Sequence, residues 1–110
     1  MACRTIGLAV ALALSGAMTG AALAAAVQAV SQKGRAFQPS EISVKRGETV
    51  EIVNDDADLL HHLYLRSPGF SFDSGDQKPG AKFSVAFPQA GSFTVLCAIH
   101  PKMKLIVNVE

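Results

Sequence analysis

Beyond residue 26 the chain reads as short runs in which apolar and polar positions alternate. Thr49–Asn54 (TVEIVN), Ala81–Phe87 (AKFSVAF) and Ser92–Cys97 (SFTVLC) are alternating or rich in β-branched and aromatic residues, the pattern of half-buried strands. Glu41–Val44, His61–Arg66 and Leu105–Val109 extend the series, and a first strand is expected at Val27–Gln32. Turn chemistry separates the runs: Arg46-Gly47, Pro68-Gly69, Asp73-Ser74-Gly75-Asp76, Pro79-Gly80 and Ala90-Gly91. No run carries a helical period with caps. Seven short strands with frequent turns predict an all-β, Greek-key β-sandwich.

Alternation also predicts faces. In Ser92–Cys97 the side chains of Phe93, Val95 and Cys97 share one side, so Cys97 ends a strand pointing inward. In His61–Arg66, His61 goes with Leu63 and Leu65, while His62 goes with Tyr64 and Arg66. His61 is therefore expected inside and His62 outside. A bulge in that strand reverses the assignment.

The first residues change the compartment. Arg4 is followed by an uncharged stretch of Ala, Leu, Val, Gly and small polar residues, with A-x-A exits at Ala22-Leu23-Ala24 and Ala24-Ala25-Ala26. Residues 1–24 read as a signal peptide, with cleavage as late as 26, and 25–110 as one domain in the periplasm. A membrane anchor is the competing reading. The Ala- and Gly-rich stretch is weakly hydrophobic for that, and no basic stop-transfer cluster follows it. No stable membrane insertion is expected after cleavage. Lys and Arg number 10 against 9 Asp and Glu, and Arg4 leaves with the leader. A neutral domain gives no electrostatic footing for nucleic acid. The loss of Cys3 leaves Cys97 alone, a thiol without a disulfide partner in an oxidising compartment.

Cys97 opens the segment Cys97-Ala98-Ile99-His100-Pro101-Lys102-Met103, with a thiol, an imidazole and a thioether each separated by two residues. Three Cα–Cα links span at most ~10–11 Å, and a compact turn brings them closer. Pro101 restricts His100 and discourages continuation of the strand. Calcium and magnesium want oxygen ligands, which this set lacks. Zinc accepts Cys and His, but structural zinc sites rarely use Met. Two His, one Cys and a weak axial Met form the blue-copper electron-transfer arrangement. The second histidine must be His61 or His62, and the face assignment favours His61. Taken singly, a Cys at a strand end, a Met after a loop and a His in a strand are ordinary packing or surface residues. Their spacing between two strands points instead to one copper ion held by His61, Cys97, His100 and Met103.

These residues resemble the small cupredoxins of the plastocyanin, amicyanin and pseudoazurin group. The likeness includes Phe37-Gln38-Pro39, Ile42 through Val50, Asn54-Asp55-Asp56 and His61-His62-Leu63. The Cys-x2-His-x2-Met spacing is similar to the short ligand loop of amicyanins. The resemblance implies a cupredoxin-like fold and a type 1 copper carrier cycling between Cu(I) and Cu(II), not an enzyme. It also implies a monomer whose partners are redox proteins such as a c-type cytochrome and an amine dehydrogenase. It implies an electron path through the edge of His100, with Leu59, Leu60, Pro68, Ile99 and Pro101 available as an apolar ring. In that group the first ligand histidine is commonly followed by an Asn that braces the cysteine loop, whereas position 62 here is His. Asp55, Asp56 and Asp58 read as solvated loop charges, and Lys102 and Lys104 put positive charge near the ligand loop. A copper carrier that delivers the ion, and a metal-free interaction domain with Cys97 as a packed thiol, are the rival readings.

Overall fold

The computed structural model describes residues 27–110, and the expected leader, residues 1–24, lies outside them. Nine strands follow in chain order: β1 Val27–Gln32, β2 Phe37–Gln38, β3 Glu41–Val44, β4 Thr49–Asn54, β5 His61–Ser67, β6 Phe70–Gln77, β7 Lys82–Ala86, β8 Gly91–Cys97 and β9 Lys104–Val109. They build two sheets, ordered β2-β1-β4-β7 and β3-β9-β8-β5-β6. The β1–β4 and β3–β9 pairs are parallel and the others antiparallel. The chain crosses repeatedly between the sheets, giving the all-β sandwich that the alternation predicts, with no helix among the described residues.

Seven strands fall where the pattern places them, to within a residue at each end. The two-residue β2 is too short to leave a periodic signal. The larger correction is β6, whose Asp73-Ser74-Gly75-Asp76 segment reads in sequence as a turn. In the fold it is a bulge. The register steps from His62↔Asp76 to Tyr64↔Asp73, so β6 holds one extra residue opposite Leu63. Gly75 takes φ 69°, a left-handed conformation that side chains with a Cβ disfavour. The Leu63 amide donates to Ser74 Oγ at 2.9 Å, so a side chain replaces a ladder bond. The same residue types that end a strand here bend one. Because the extra residue lies in β6, alternation along β5 survives: His61, Leu63 and Leu65 are buried, while Arg66 is exposed.

The space between the sheets is filled by alternate residues of each strand, including Val50 and Ile52 of β4, Val95 of β8 and Leu105 and Val107 of β9. Each such side chain contributes roughly 1.5–3 kcal/mol by leaving water. Toward one end of the strands Phe70, Phe72, Phe83, Phe87 and Phe93 meet with ring centroids 5.3 to 6.1 Å apart. At the other end the interior turns polar. Gln32 and Asn54 pair in one sheet and His61 and Gln77 in the other, all four no more than 2% exposed.

Candidate metal centre

The register of the second sheet positions the site. Leu63 pairs with Cys97 and Tyr64 with Leu96, so the start of β5 and the end of β8 arrive at the polar end together. Alternation then turns His61 and Cys97 inward, and both are essentially inaccessible. The chain leaves β8 in a tight loop closed by the Met103 amide donating to the His100 carbonyl at 3.0 Å. That turn brings His100 back over Cys97.

His61 Nδ1 lies 3.8 Å from Cys97 Sγ and His100 Nδ1 lies 3.7 Å from it. The three donor atoms are all within 4.8 Å of one another. Metal–nitrogen and metal–sulfur bonds of about 2.1 and 2.3 Å, at angles of about 110–120°, place N and S roughly 3.6–3.8 Å apart. The observed sulfur–nitrogen spacings would suit one metal ion bound by these three donors. Met103 is 2% exposed and borders the same concavity as His100.

Main-chain groups of β5 hold the cysteine. The His62 amide donates to Cys97 Sγ at 3.4 Å, and the Ala98 amide donates to the His62 carbonyl at 2.8 Å. The question raised by His at position 62 is thereby answered: bracing of the loop comes from the backbone. The His62 ring faces outward, with Nε2 2.6 Å from Asp73 Oδ1 and Nδ1 3.1 Å from Asp76 Oδ1. The bonds to Asp73 and Asp76 raise His62 above the ordinary histidine value. Asp73 is lowered by the Gly75 amide and then by His62. The structure gathers His61 with Cys97 and His100, and leaves the His62 ring out.

His61 Nε2 lies 2.7 Å from Asp56 Oδ2, the Asp56 side chain being only 9% exposed. An ionised carboxylate only accepts, so Nε2 is the ring nitrogen that donates to Asp56, and Nδ1 is the one that faces Cys97. Burial would raise the Asp56 carboxyl, but bonds from the Gly34 amide and His61 outweigh it and hold it below the usual aspartate value. Burial, then His61 and Arg35, depress His100, which favours the neutral, ligating imidazole.

Asp56 corrects the reading of the acidic cluster as solvated charge. Its amide donates to Asn54 Oδ1 at 3.0 Å, and its Oδ1 accepts from the Gly34 amide at 2.8 Å. Nothing in the local sequence distinguishes it from Asp58, because the partner that buries it lies in the β1–β2 loop. His100 and Met103, with Arg35, Ile99, Pro101 and Lys102, line a concavity of about 400 Å³. Ile99 and Pro101 match the apolar ring expected around His100, and Arg35 adds a cation that the local sequence does not announce. Pro68 sits at the far end of β5, where its carbonyl accepts from Gln89.

Comparison with known proteins places these features in context. Residues 24–110 match the family described as copper binding proteins, plastocyanin/azurin family. Amicyanin-alpha of Methylorubrum extorquens is 35% identical over 77 residues, covering 67% of this chain and 64% of that relative. A reduced amicyanin variant superposes with a TM-score of 0.70 at 25% identity, covering 80% of this chain and 86% of that one. A copper-containing nitrite reductase from Thermus scotoductus SA-01 gives a TM-score of 0.74 at 28% identity. That match covers 86% of this chain but only 24% of the reductase.

Proposed function

This chain belongs to the plastocyanin/azurin family of copper binding proteins, and from that premise we propose that it is a periplasmic one-electron carrier with copper held by His61, Cys97, His100 and Met103. The observation that carries the reading is the convergence of two imidazole Nδ1 atoms on one buried thiol, with the buried Met103 lining the same concavity as His100. Bound copper supplies the one-electron couple. The chain's own residues do the rest. β5 and β8 hold His61 and Cys97 in the buried interior, and the Cys97 loop brings His100 to them. A donor set fixed by the sandwich changes little when charge arrives or leaves.

His100 alone of the three gathered donors is partly exposed, and it borders the concavity. Electrons enter and leave there, against redox partners such as a c-type cytochrome or an amine dehydrogenase. Arg35 and Lys102 make the rim of that face cationic and suit an acidic partner surface. With all four donors committed to the metal, the protein acts as a carrier and not as an enzyme. The leader expected at residues 1–24 supports a periplasmic location.

The test is to add copper(II) to residues 25–110 and record the visible and electron paramagnetic resonance spectra. An intense blue or green band with narrow copper hyperfine splitting is expected. Cys97→Ala abolishes the band and His62→Ala retains it. Weak colour favours delivery of the ion over electron transfer, and absence of binding refutes both.

A further inference from the structure

Asp56 is held in place from three directions. Its backbone amide is fixed by Asn54 Oδ1, one carboxylate oxygen by the Gly34 amide, and the other lies 2.7 Å from His61 Nε2. Asn54 is itself fully buried, and its Nδ2 donates to the Leu59 and Gln77 carbonyls at 2.8 and 2.9 Å. The carboxylate is therefore part of the rigid end of the sandwich. A full negative charge thus bonds the ring nitrogen opposite the one that faces Cys97.

We propose that Asp56 is a positioning residue that fixes His61 with its proton on Nε2 and lowers the reduction potential of the copper site. The inference rests on the copper reading above. Two effects act together. A carboxylate accepting from one imidazole nitrogen fixes the tautomer and makes the other nitrogen a stronger donor. A nearby fixed anion in a poorly solvated interior also favours the metal state of higher charge. Both stabilise Cu(II) more than Cu(I).

Asp56→Asn keeps the side-chain shape and an acceptor oxygen but removes the charge. Partners of metal-bound histidines typically contribute about 10–100-fold to metal affinity. The expected result is a loss of that order in Cu(II) affinity, with a smaller loss for Cu(I). Each tenfold difference between the two losses raises the potential by ~59 mV in voltammetry. Asp56→Glu, which restores the charge, is expected to return the potential toward that of the parent protein. A second measurement needs no metal: nitrogen-15 chemical shifts of His61 in the copper-free protein. The parent shows an Nε2–H tautomer, and Asp56→Ala shows a mixture. An unchanged potential in Asp56→Asn overturns the tuning role, and an unchanged tautomer in Asp56→Ala overturns the positioning role. Failure of the parent protein to bind copper overturns the function reading instead, while the tautomer measurement still reports on Asp56. If Asp56→Asn does not fold, Asp56→Ala takes its place: a potential above that of the parent supports the tuning role, and a parent-like potential opposes it.

Discussion

The two ends of the sandwich are built from opposite materials. At one end Phe70, Phe72, Phe83, Phe87 and Phe93 stack edge and face, and burial holds them together. At the other, Gln32, Asn54, His61 and Gln77 are as inaccessible as any phenylalanine, yet each must find polar partners. Gln32 Nε2 donates to Gln77 Oε1 at 2.9 Å, and Gln77 Nε2 reaches the Ile52 carbonyl at 3.3 Å, so this bond network crosses between the sheets. Apolar burial has no preferred direction, so the aromatic end adds stability without placing any atom sharply. Hydrogen bonds add only about 0.5–1.5 kcal/mol each in net terms but are strict in geometry. The polar end is where His61 and Asp56 need strict geometry.

Breaking each end should therefore cost different things. Phe87→Ala, at a fully buried position, is expected to lower stability by ~3–5 kcal/mol in urea unfolding of the copper-free protein. The visible spectrum of the folded, copper-loaded fraction should stay as in the parent. A shifted band would show that the aromatic end reaches the metal centre and would collapse the contrast. Asn54→Ala leaves the Leu59 and Gln77 carbonyls without their donor and is expected to cost ~1–3 kcal/mol. Unlike Phe87→Ala, it should also weaken Cu(II) binding, by loosening Asp56. Titration against a competing chelator measures this, and parent-like affinity would mean that the network is only structural.

The smallest effect is expected outside the interior, at His62. Its folded-state value is raised by Asp73 and Asp76, so the stabilisation is fully present below the ordinary histidine value of ~6.5. It is lost as pH rises through the raised folded value. Asp73 is lowered, so its part is also lost when pH falls through that lowered value. The stability difference between the parent and His62→Gln should thus be largest in mild acid and shrink toward alkaline pH. Urea midpoints of the copper-free proteins across pH check this, and a gap that widens with pH would contradict the clamp. The gap should remain small because Asp73 and Asp76 are largely exposed and water screens the pairs.

Much of this is legible in the residue pattern. Period-two alternation placed seven strands, and in β5 it separated an inward His61 from an outward His62. Turn residues were ambiguous. Asp73-Ser74-Gly75-Asp76 bends β6 opposite Leu63 because a bulge needs the same left-handed glycine and side-chain acceptors as a turn. Asp56 was illegible, since it and Asp58 look alike until the β1–β2 loop brings the Gly34 amide to one of them.

The residue pattern carries local information: which segments extend, which face each side chain takes, and a thiol, imidazole and thioether within one short loop. These follow from backbone geometry over a few residues, where period and spacing suffice. Only the tertiary structure decided how β5 and β8 meet, that His62 braces Cys97 through its backbone, and that one aspartate of three is drawn in against His61. Those outcomes depend on register and on contacts between residues far apart in the chain, which no local pattern encodes.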